Sequence, residues 1–265
     1  MKILCVIPAR YASTRMPGKP LADICGKPML WWVYHRVKDI DVFAEVICAV
    51  DDERISRVCE DFGMKYILTS PNHPEHISRI QEVSGKIPAD YYMCINGDEP
   101  MISPECILPV VPDRISSEPY FGGAMRLLTS PAEVIDPANI KLAVTSSGKC
   151  LYMSRNPVPY PKGTLSVKYR KYVGVECFNS SALNFFVRTP KGILETYEDI
   201  DHLRFLENGI PLYFTAVESE SISVDTPKDL DFVREKIRNS YDWGGGTNYL
   251  SYAALFRAVE EGAAA

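Results

Sequence analysis

The segment KILCVIPARYASTRMPGKP, residues 2–20, joins an apolar run to a loop rich in cations and prolines. The run KILCVI predicts a buried strand, and Arg10, Arg15 and Lys19 follow it within one loop. Three cations and the accessible N–H groups of small residues can surround a triphosphate. A solvated surface loop is the alternative, because basic clusters also occur outside binding sites.

Outward from this segment, apolar runs alternate with helical patterns through the first hundred residues. Strands are predicted at 2–9, 45–50, 65–70 and 91–96, and helices at 28–39, 52–63 and 77–85. Such apolar strands, separated by helices, favour a parallel sheet that is covered on both faces. Ligands of these sheets gather at the carboxyl ends of the strands. We therefore expect the cationic loop to meet the turn NGDEP at 96–100.

The pattern changes after Pro100. Shorter strands are predicted at 121–128, 140–145, 150–154 and 171–178, followed by a helix at 196–209 and a strand at 211–217. The Pro- and Gly-rich connectors among the short strands indicate an inserted mixed sheet or arm at about 120–180. Asp225 or Thr226 as N-cap, with Pro227 at the first helical position, predicts a last long helix.

Composition and charge exclude several classes of protein. Hydrophobic residues make up 46% of the 265 residues and charged residues 24%, which is typical of a globular α/β domain. The net charge of −5 provides no basic field for a nucleic acid. No apolar window is long enough to cross a membrane and no secretory signal is visible, so the expected location is the cytoplasm. The eight scattered cysteines contain no C-x-x-C pair and are expected to be buried thiols.

Two carboxylates are candidates for a metal site. Asp98 follows an apolar strand and Asp225 precedes the last helix, so both are expected at the ligand edge of the sheet. Mg²⁺ prefers one or two carboxylates together with phosphate oxygens. The alternatives are a turn residue at Asp98 and an N-cap at Asp225. The sequence contains neither G-x-x-x-x-G-K-[ST] nor a helix-opening G-x-G-x-x-G, so neither a P-loop nor a dinucleotide site is predicted.

Six motifs in order carry a family resemblance: IPARYASTRMPGKPL, NGDEPMI, DPANIK, LYMSRNPVPYP, LRFLENG and VDTPKDL. Together they closely resemble the CMP-Kdo synthetases, the CTP:3-deoxy-manno-octulosonate cytidylyltransferases, over about residues 2–238. The resemblance implies a Rossmann-like, nucleotide-diphospho-sugar transferase-like α/β fold with a mixed sheet, flanking helices and an inserted dimerisation arm. It implies a homodimer whose Mg²⁺-dependent reaction joins CMP from CTP to an acidic sugar and releases pyrophosphate. The cytidylyltransferase domain would span 1–240, followed by a tail at 241–265.

The resemblance also assigns roles to single residues. The predicted catalytic residues are Arg10, Lys19, Asp98 and Asp225, of which Asp98 and Asp225 bind the metal. The predicted nucleotide-binding residues are Pro8, Ala9, Arg10, Ser13, Arg15, Lys19, Arg79, Asn96 and Gly97. The predicted acceptor-binding residues are Arg155, Tyr172, Glu176, Asp201 and His202.

Departures from the family pattern fall at the positions expected to touch the acceptor. The family's Ser-Gly-Thr before an acidic residue and Arg is replaced by a stretch beginning Glu75-His76, and its Tyr and Gln are replaced by Glu176 and His202. A carboxylate at Glu176 is expected to disfavour an anionic acceptor nearby. Three alternatives remain beside a Kdo enzyme with neutral replacements: another acceptor such as an amino-ulosonic acid or a phosphonate, a different nucleotide, and a non-catalytic nucleotide-binding protein.

Overall fold

The computed structural model describes residues 1–13, 16–164, 166–218 and 221–239. The strands are β1 (Ile3–Ala9), β2 (Asp23–Ile24), β3 (Lys27–Pro28), β4 (Glu45–Val50), β5 (Tyr66–Leu68), β6 (Tyr91–Ile95), β7 (Phe121–Leu127), β8 (Lys141–Val144), β9 (Cys150–Ser154), β10 (Arg170–Phe178) and β11 (Tyr213–Ala216). The helices are α1 (Met29–Val37), α2 (Glu53–Asp61), α3 (His76–Lys86), α4 (Pro104–Ile107), α5 (Pro131–Ile135), α6 (Ser180–Arg188), α7 (Ile193–Glu198), α8 (Leu203–Glu207) and α9 (Pro227–Arg238). Single 3₁₀ turns lie at Lys19–Leu21 and Leu108–Val110.

One mixed sheet organises the described part of the chain. Its strand order is β11-β7-β10-β6-β1-β4-β5, and β8 and β9 extend it beside β10. The strands β6, β1, β4 and β5 pair in parallel, whereas β10 is antiparallel to both β6 and β7. The predicted mixed α/β class is confirmed, and β1 lies at the centre of its parallel part.

The central strand β1 is buried on both faces, as its continuous apolar sequence predicts. Ile3, Cys5 and Ile7 belong to one hydrophobic cluster, and Leu4 and Val6 belong to another. Side chains alternate between the two faces of a strand, so each cluster fills the space between the sheet and the helices on one side. This double burial holds the carboxyl end of β1 in a fixed position.

The N-terminus of α9 is capped as the sequence predicts. The N-cap of α9 is Thr226, whose hydroxyl accepts a hydrogen bond from the Asp229 N–H at 3.3 Å, and Pro227 opens the helix. The Asp229 carboxylate accepts a hydrogen bond from the Thr226 N–H at 2.8 Å, which completes a capping box. Because Thr226 takes this role, Asp225 is not the N-cap, and its carboxylate lies in a cavity described below.

The prediction of a single helix at 196–209 is wrong, because two short helices, α7 and α8, are found in this region. The chain turns at Asp199, which has φ 52° and ψ 51° in the left-handed region. The Asp199 carbonyl accepts a hydrogen bond from the Arg155 guanidinium at 2.8 Å. This bond to another part of the chain stabilises a conformation that helical periodicity does not predict.

Helix α6 was not predicted. Its N-cap is Asn179, whose side-chain oxygen accepts a hydrogen bond from the Ala182 N–H at 2.9 Å. An Asn before SSALNFFVR is a helix-start signal, so the sequence contained the information needed for this helix.

The region predicted as an inserted arm, 120–180, has two parts. Strands β7 and β10 lie within the main sheet, while β8 and β9 form an antiparallel pair at its side. The domain boundaries stay a prediction, and the predicted tail at 241–265 lies outside the described residues. Within the described ranges, no helix combines the length and the apolar character that a membrane span requires.

Candidate active site

A cavity of about 410 Å³ opens at the carboxyl ends of the parallel strands. Its lining includes most of the predicted site residues: Pro8, Ala9, Arg10, Ser13, Lys19, Arg79, Asn96, Gly97, Asp98, Asp201 and Asp225. The rest of its lining is Pro20, His73, Pro74, Glu75, His76, Lys191 and Asp199. The volume lies in the range of small-molecule sites, about 300–1,000 Å³.

Lys19 lies between the two predicted metal ligands. Its ammonium contacts Asp98 at 2.6 Å and Asp225 at 3.2 Å. Burial by itself would lower the pKa of Lys19, but the two carboxylates raise it. The ammonium therefore stays charged and balances two carboxylates that would otherwise repel each other.

A backbone hydrogen bond sets the distance between the two carboxylates. The Val224 N–H donates to the Asp98 carbonyl at 2.9 Å, and this holds Asp225 beside Asp98. The Oδ1 atom of Asp98 is buried and has no hydrogen-bond partner among the described residues. Buried polar atoms are almost always paired, so an unsatisfied carboxylate oxygen beside a second carboxylate fits a missing cation.

The carboxyl end of β1 approaches the turn after β6 very closely. A Cβ added to Gly97 would lie 2.8 Å from the carbonyl oxygen of Pro8. Only glycine accommodates this approach, which brings the NGDEP turn against the cationic loop. Arg10 is exposed in the same cavity, whereas Arg15 lies outside the described residues.

Arg79 forms a buried ion pair in the cavity wall. Its guanidinium donates to Asp51 at 2.9 Å and to the Thr69 hydroxyl at 2.6 Å. Burial lowers the pKa of Arg79, and Asp51 opposes this shift. The other oxygen of Asp51 accepts a hydrogen bond from the Tyr11 N–H at 2.9 Å. Asp51 therefore connects the predicted nucleotide residue Arg79 to the cationic loop.

Behind another part of the wall, a buried carboxylate lies between two imidazoles. Glu176 accepts hydrogen bonds from His76 Nε2 at 2.8 Å, from His202 Nε2 at 2.6 Å and from the Tyr172 hydroxyl at 2.5 Å. Its side chain is 0% exposed. Burial by itself would raise the pKa of Glu176, but His76 and His202 lower it, so the carboxylate is ionised.

The charge of Glu176 is compensated inside the protein. Burial would lower the pKa of His76, but Glu176, followed by Asp201 and Glu75, raises it to about 9. An imidazolium therefore separates the Glu176 carboxylate from the cavity. The expectation that Glu176 repels an anionic acceptor is corrected, because Glu176 does not line the cavity and its charge is matched by a histidine.

Comparisons with known proteins identify the family. A family model described as Cytidylyltransferase matches residues 4–222. The 3-deoxy-manno-octulosonate cytidylyltransferase of Escherichia coli is 36% identical over 233 residues, covering 88% of this chain and 95% of that protein. The enzyme of the same name from Geobacter metallireducens is 38% identical over 252 residues, covering 89% and 98%. The chain belongs to the cytidylyltransferase family.

Solved structures agree with this assignment. The structure of a CMP:2-keto-3-deoxy-manno-octonic acid synthetase complexed with CTP has a TM-score of 0.84 and 36% identity, covering 91% of this chain and all of that one. The inositol-1-phosphate CTP transferase from T. maritima, with a TM-score of 0.63 and 12% identity, shares the fold alone. This cytidylyltransferase is a nucleotidyltransferase enzyme.

Most of the predicted acceptor residues lie outside the cavity lining of the described chain. Asp201 lines the cavity, whereas Tyr172, Glu176 and His202 form the layer behind His76. Arg155 is also absent from the lining. Its guanidinium donates to the carbonyls of Glu198 at 2.6 Å, Asp199 at 2.8 Å and Pro137 at 3.1 Å. In this cytidylyltransferase it holds the turn that presents Asp199 to the cavity.

Three residues in or beside the cavity were not assigned roles from the sequence. Asp51 directly follows β4 and pairs with the cavity residue Arg79, and its position after a buried parallel strand was the available signal. Lys191 enters the cavity from the segment before α7 and carried no sequence signal. His73 also lines the cavity and contacts Glu82 at 2.6 Å and Ser78 at 3.0 Å.

Proposed function

We propose that this cytidylyltransferase uses CTP to form the CMP conjugate of an acidic sugar, 3-deoxy-manno-octulosonate (Kdo) or a related acid, and releases pyrophosphate. The observation that carries this proposal is the arrangement of Lys19 between Asp98 and Asp225, with a buried unsatisfied oxygen on Asp98. Relatives that cover nearly all of the chain bear the name of the Kdo enzyme.

The cationic side chains of the loop after β1 would bind the triphosphate. Arg10 and Lys19 present charged donors, and charge-assisted hydrogen bonds to phosphate are the strong ones. When an anionic triphosphate enters, Lys19 can exchange its carboxylate partners for phosphate oxygens. Pro8, Ala9 and Gly97 bring backbone close to the same space.

Asp98 and Asp225 are the residues that would hold Mg²⁺. Two carboxylates beside a triphosphate site provide the oxygen ligands that this ion prefers. When bound, Mg²⁺ supplies positive charge that stabilises the phosphate oxygens during transfer.

The reaction requires positioning and charge stabilisation. The acceptor's hydroxyl oxygen bonds to the α-phosphorus while the bond to the bridging oxygen of pyrophosphate breaks, and the hydroxyl proton is released. The residues of this chain would align the two substrates and stabilise the developing negative charge. No covalent enzyme intermediate is needed.

A second acceptor class is favoured by one observation. The cluster of His76, Glu176 and His202 occupies the positions where the family pattern has Gly, Tyr and Gln, and it is closed by hydrogen bonds. A site that has lost such hydrogen-bonding groups discriminates strongly against the original substrate. An amino-substituted ulosonic acid or a phosphonate is therefore the alternative to Kdo.

The biological setting is proposed from the same family membership. We expect a cytoplasmic enzyme that supplies surface-polysaccharide assembly and acts as a homodimer. Large apolar side chains are exposed in and beside the 120–180 arm: Ile135 (72%), Leu151 (62%) and Tyr160 (84%). A second copy of the chain would bury this surface, and sedimentation would give the mass of a dimer.

The function is tested by pyrophosphate release with Mg²⁺. Each of CTP, UTP, ATP and GTP is combined with Kdo, its 8-amino analogue, a sialic acid and several phosphonates. Release with CTP and Kdo supports the first proposal, and release with CTP and another acceptor supports the second. CTP binding without release across the whole panel would favour a non-catalytic nucleotide-binding protein, and release with a different nucleotide would contradict the choice of CTP.

A further inference from the structure

Three potential metal ligands converge from distant parts of the chain. His76 is the first residue of α3, Glu176 lies in β10 and His202 directly precedes α8. One ligand atom from each lies within 4.8 Å of the other two. We propose that His76, Glu176 and His202 form a binding site for a divalent transition-metal ion such as Zn²⁺, Co²⁺ or Mn²⁺.

The donor set separates this site from the expected Mg²⁺ site. Two imidazole nitrogens and one carboxylate suit Zn²⁺, Co²⁺, Fe²⁺ and Mn²⁺, whereas Mg²⁺ prefers oxygen ligands only. The pair Asp98 and Asp225 offers only carboxylate oxygens. The protein would therefore carry two sites with different metal preferences beside one cavity.

The ligands are held by neighbouring groups, as in established metal sites. Glu176 receives a hydrogen bond from the Tyr172 hydroxyl at 2.5 Å, which orients its carboxylate. His76 presents Nε2 to Glu176 and Nδ1 to the Asp201 carboxylate, whose oxygen lies 3.9 Å away. This separation is longer than a hydrogen bond, so Asp201 places negative charge beside His76, and the Tyr172 hydroxyl is the group that hydrogen-bonds to a ligand.

The proposed metal site is buried except on the side of His76, where it is open to the cavity. The side chains of Glu176 and His202 are 0% and 5% exposed, whereas His76 is 25% exposed and lines the cavity. Three protein ligands with one open direction are typical of sites that bind an exchangeable ligand. An anionic group of the acceptor would be the ligand at that position, a part of the inference that rests on the proposed function.

The hydrogen bonds of the cluster define which ring nitrogens would bind the metal. An ionised carboxylate only accepts hydrogen bonds, so both imidazoles donate their Nε2 protons to Glu176 in the metal-free protein. A metal ion would take the place of these protons at Nε2. A neutral imidazole would then keep its proton at Nδ1, and a protonated imidazole would release its Nε2 proton to solvent.

The test measures metal binding directly, without CTP or acceptor. Full-length, tag-free protein is stripped with a chelator and titrated with Co²⁺ by visible absorption and with Zn²⁺ by calorimetry. We use the Asp98→Asn/Asp225→Asn double variant as background, because it removes the oxygen site. One equivalent of Co²⁺ should still bind, and adding His76→Ala should weaken binding by at least about tenfold.

Controls separate ligation from loss of structure. His35→Gln, a histidine that stacks on Trp31 away from the cavity lining, should leave the Co²⁺ isotherm unchanged. Because His202 is buried, its variants can fail to fold, so His76→Ala is the decisive change and its circular dichroism is recorded. Equal isotherms with and without His76, or no Co²⁺ binding in the background variant, would overturn the proposal and leave the cluster as an ion-paired triad.

A separate measurement tests the open coordination position. The absorption of the Co²⁺-loaded Asp98→Asn/Asp225→Asn protein, which lacks the oxygen site, is recorded with and without Kdo, at the Kdo concentration that supports pyrophosphate release by the wild-type protein. A changed spectrum supports ligation by the acceptor, and an unchanged spectrum overturns it. Absence of any release with Kdo would instead contradict the proposed function, so the two failures are distinguishable.

Discussion

The proposed nucleotide side of the cavity contains Lys19, Asp98 and Asp225, and the proposed acceptor side contains His76, Glu176 and His202. Both sides combine carboxylates with cationic side chains, but they differ in how completely their polar atoms are paired in hydrogen bonds. On the nucleotide side, one carboxylate oxygen is buried without a described partner. On the acceptor side, both oxygens of the buried carboxylate accept hydrogen bonds. The unsatisfied oxygen is directly available to a ligand, whereas the hydrogen bonds around Glu176 hold His76 and His202 in place, and a metal ion would have to replace their Nε2 protons. We therefore expect mutations on the two sides to affect different quantities.

The largest expected effect is on turnover from the nucleotide side. Asp98→Asn and Asp225→Asn should each reduce Mg²⁺-dependent pyrophosphate release by on the order of 10³-fold, because transition-state charge stabilisation worth several kcal/mol is lost. The free energy of unfolding should change little. Steady-state assays and urea unfolding measure both quantities, with Asp231→Asn as the matched exposed control. Near-normal turnover in either site variant would contradict the assigned role.

Lys19→Ala should come next in magnitude. Loss of a charged donor to the triphosphate should lower kcat/KM for CTP by on the order of 10²-fold. The remaining carboxylates of Asp98 and Asp225 would also repel each other. Lys65→Ala, at an exposed pair with Glu45, is the control. A kcat/KM for CTP like that of the control would mean that Lys19 is only a structural counter-ion.

On the acceptor side, Glu176→Gln should affect stability and acceptor binding. Removing a buried charge that holds His76 and His202 should reduce the free energy of unfolding by about 3 kcal/mol. The KM for the acceptor should rise while the KM for CTP stays unchanged. Urea denaturation and separate KM measurements test this, with the exposed Glu105→Gln as control. A rise in the KM for CTP without a rise in the KM for the acceptor would contradict the assignment of Glu176 to the acceptor side.

The smallest expected effect concerns α3, the helix that begins at His76. Burial alone would raise the pKa of Glu82, but hydrogen bonds from Lys86, His73 and the Ser70 N–H lower it to about 2. A lowered folded-state pKa adds stability above the ordinary carboxyl pKa, and this is lost between about pH 5 and pH 2. Glu82→Gln should remove this pH dependence of the free energy of unfolding. The change should be less than about 1 kcal/mol, because the ion pairs of Glu82 are partly exposed. If the free energy of unfolding, measured in urea, falls at acid pH as steeply in Glu82→Gln as in the wild type, the prediction is contradicted.

Local patterns in the sequence predicted much of the fold. The strands β4 and β9 were predicted at their observed bounds, and α9 began where its capping signals indicated. Continuous apolar runs and caps depend on neighbouring residues, so they can be interpreted without tertiary contacts. The break at Asp199 could not be predicted, because it depends on a hydrogen bond from Arg155.

The candidate site was predicted unevenly for the same reason. The predicted nucleotide residues that the structure describes line one cavity. Most of them lie at or just after the end of a strand that the sheet fixes, and Arg79 reaches the cavity from α3. The predicted acceptor residues divide between the lining and the layer behind it. Which of the two a side chain joins depends on how elements far apart in sequence pack.

The sequence by itself determined the class of fold, the cationic loop and the two aspartates, because strand periodicity and motif spacing are local properties. Only the tertiary structure decided that Lys19 lies between those aspartates, and that Glu176 is shielded from the cavity by His76. Lys19 and Asp225 are separated by 206 positions, and His76 and Glu176 by 100. The charge balance of both clusters exists only after folding brings these elements together.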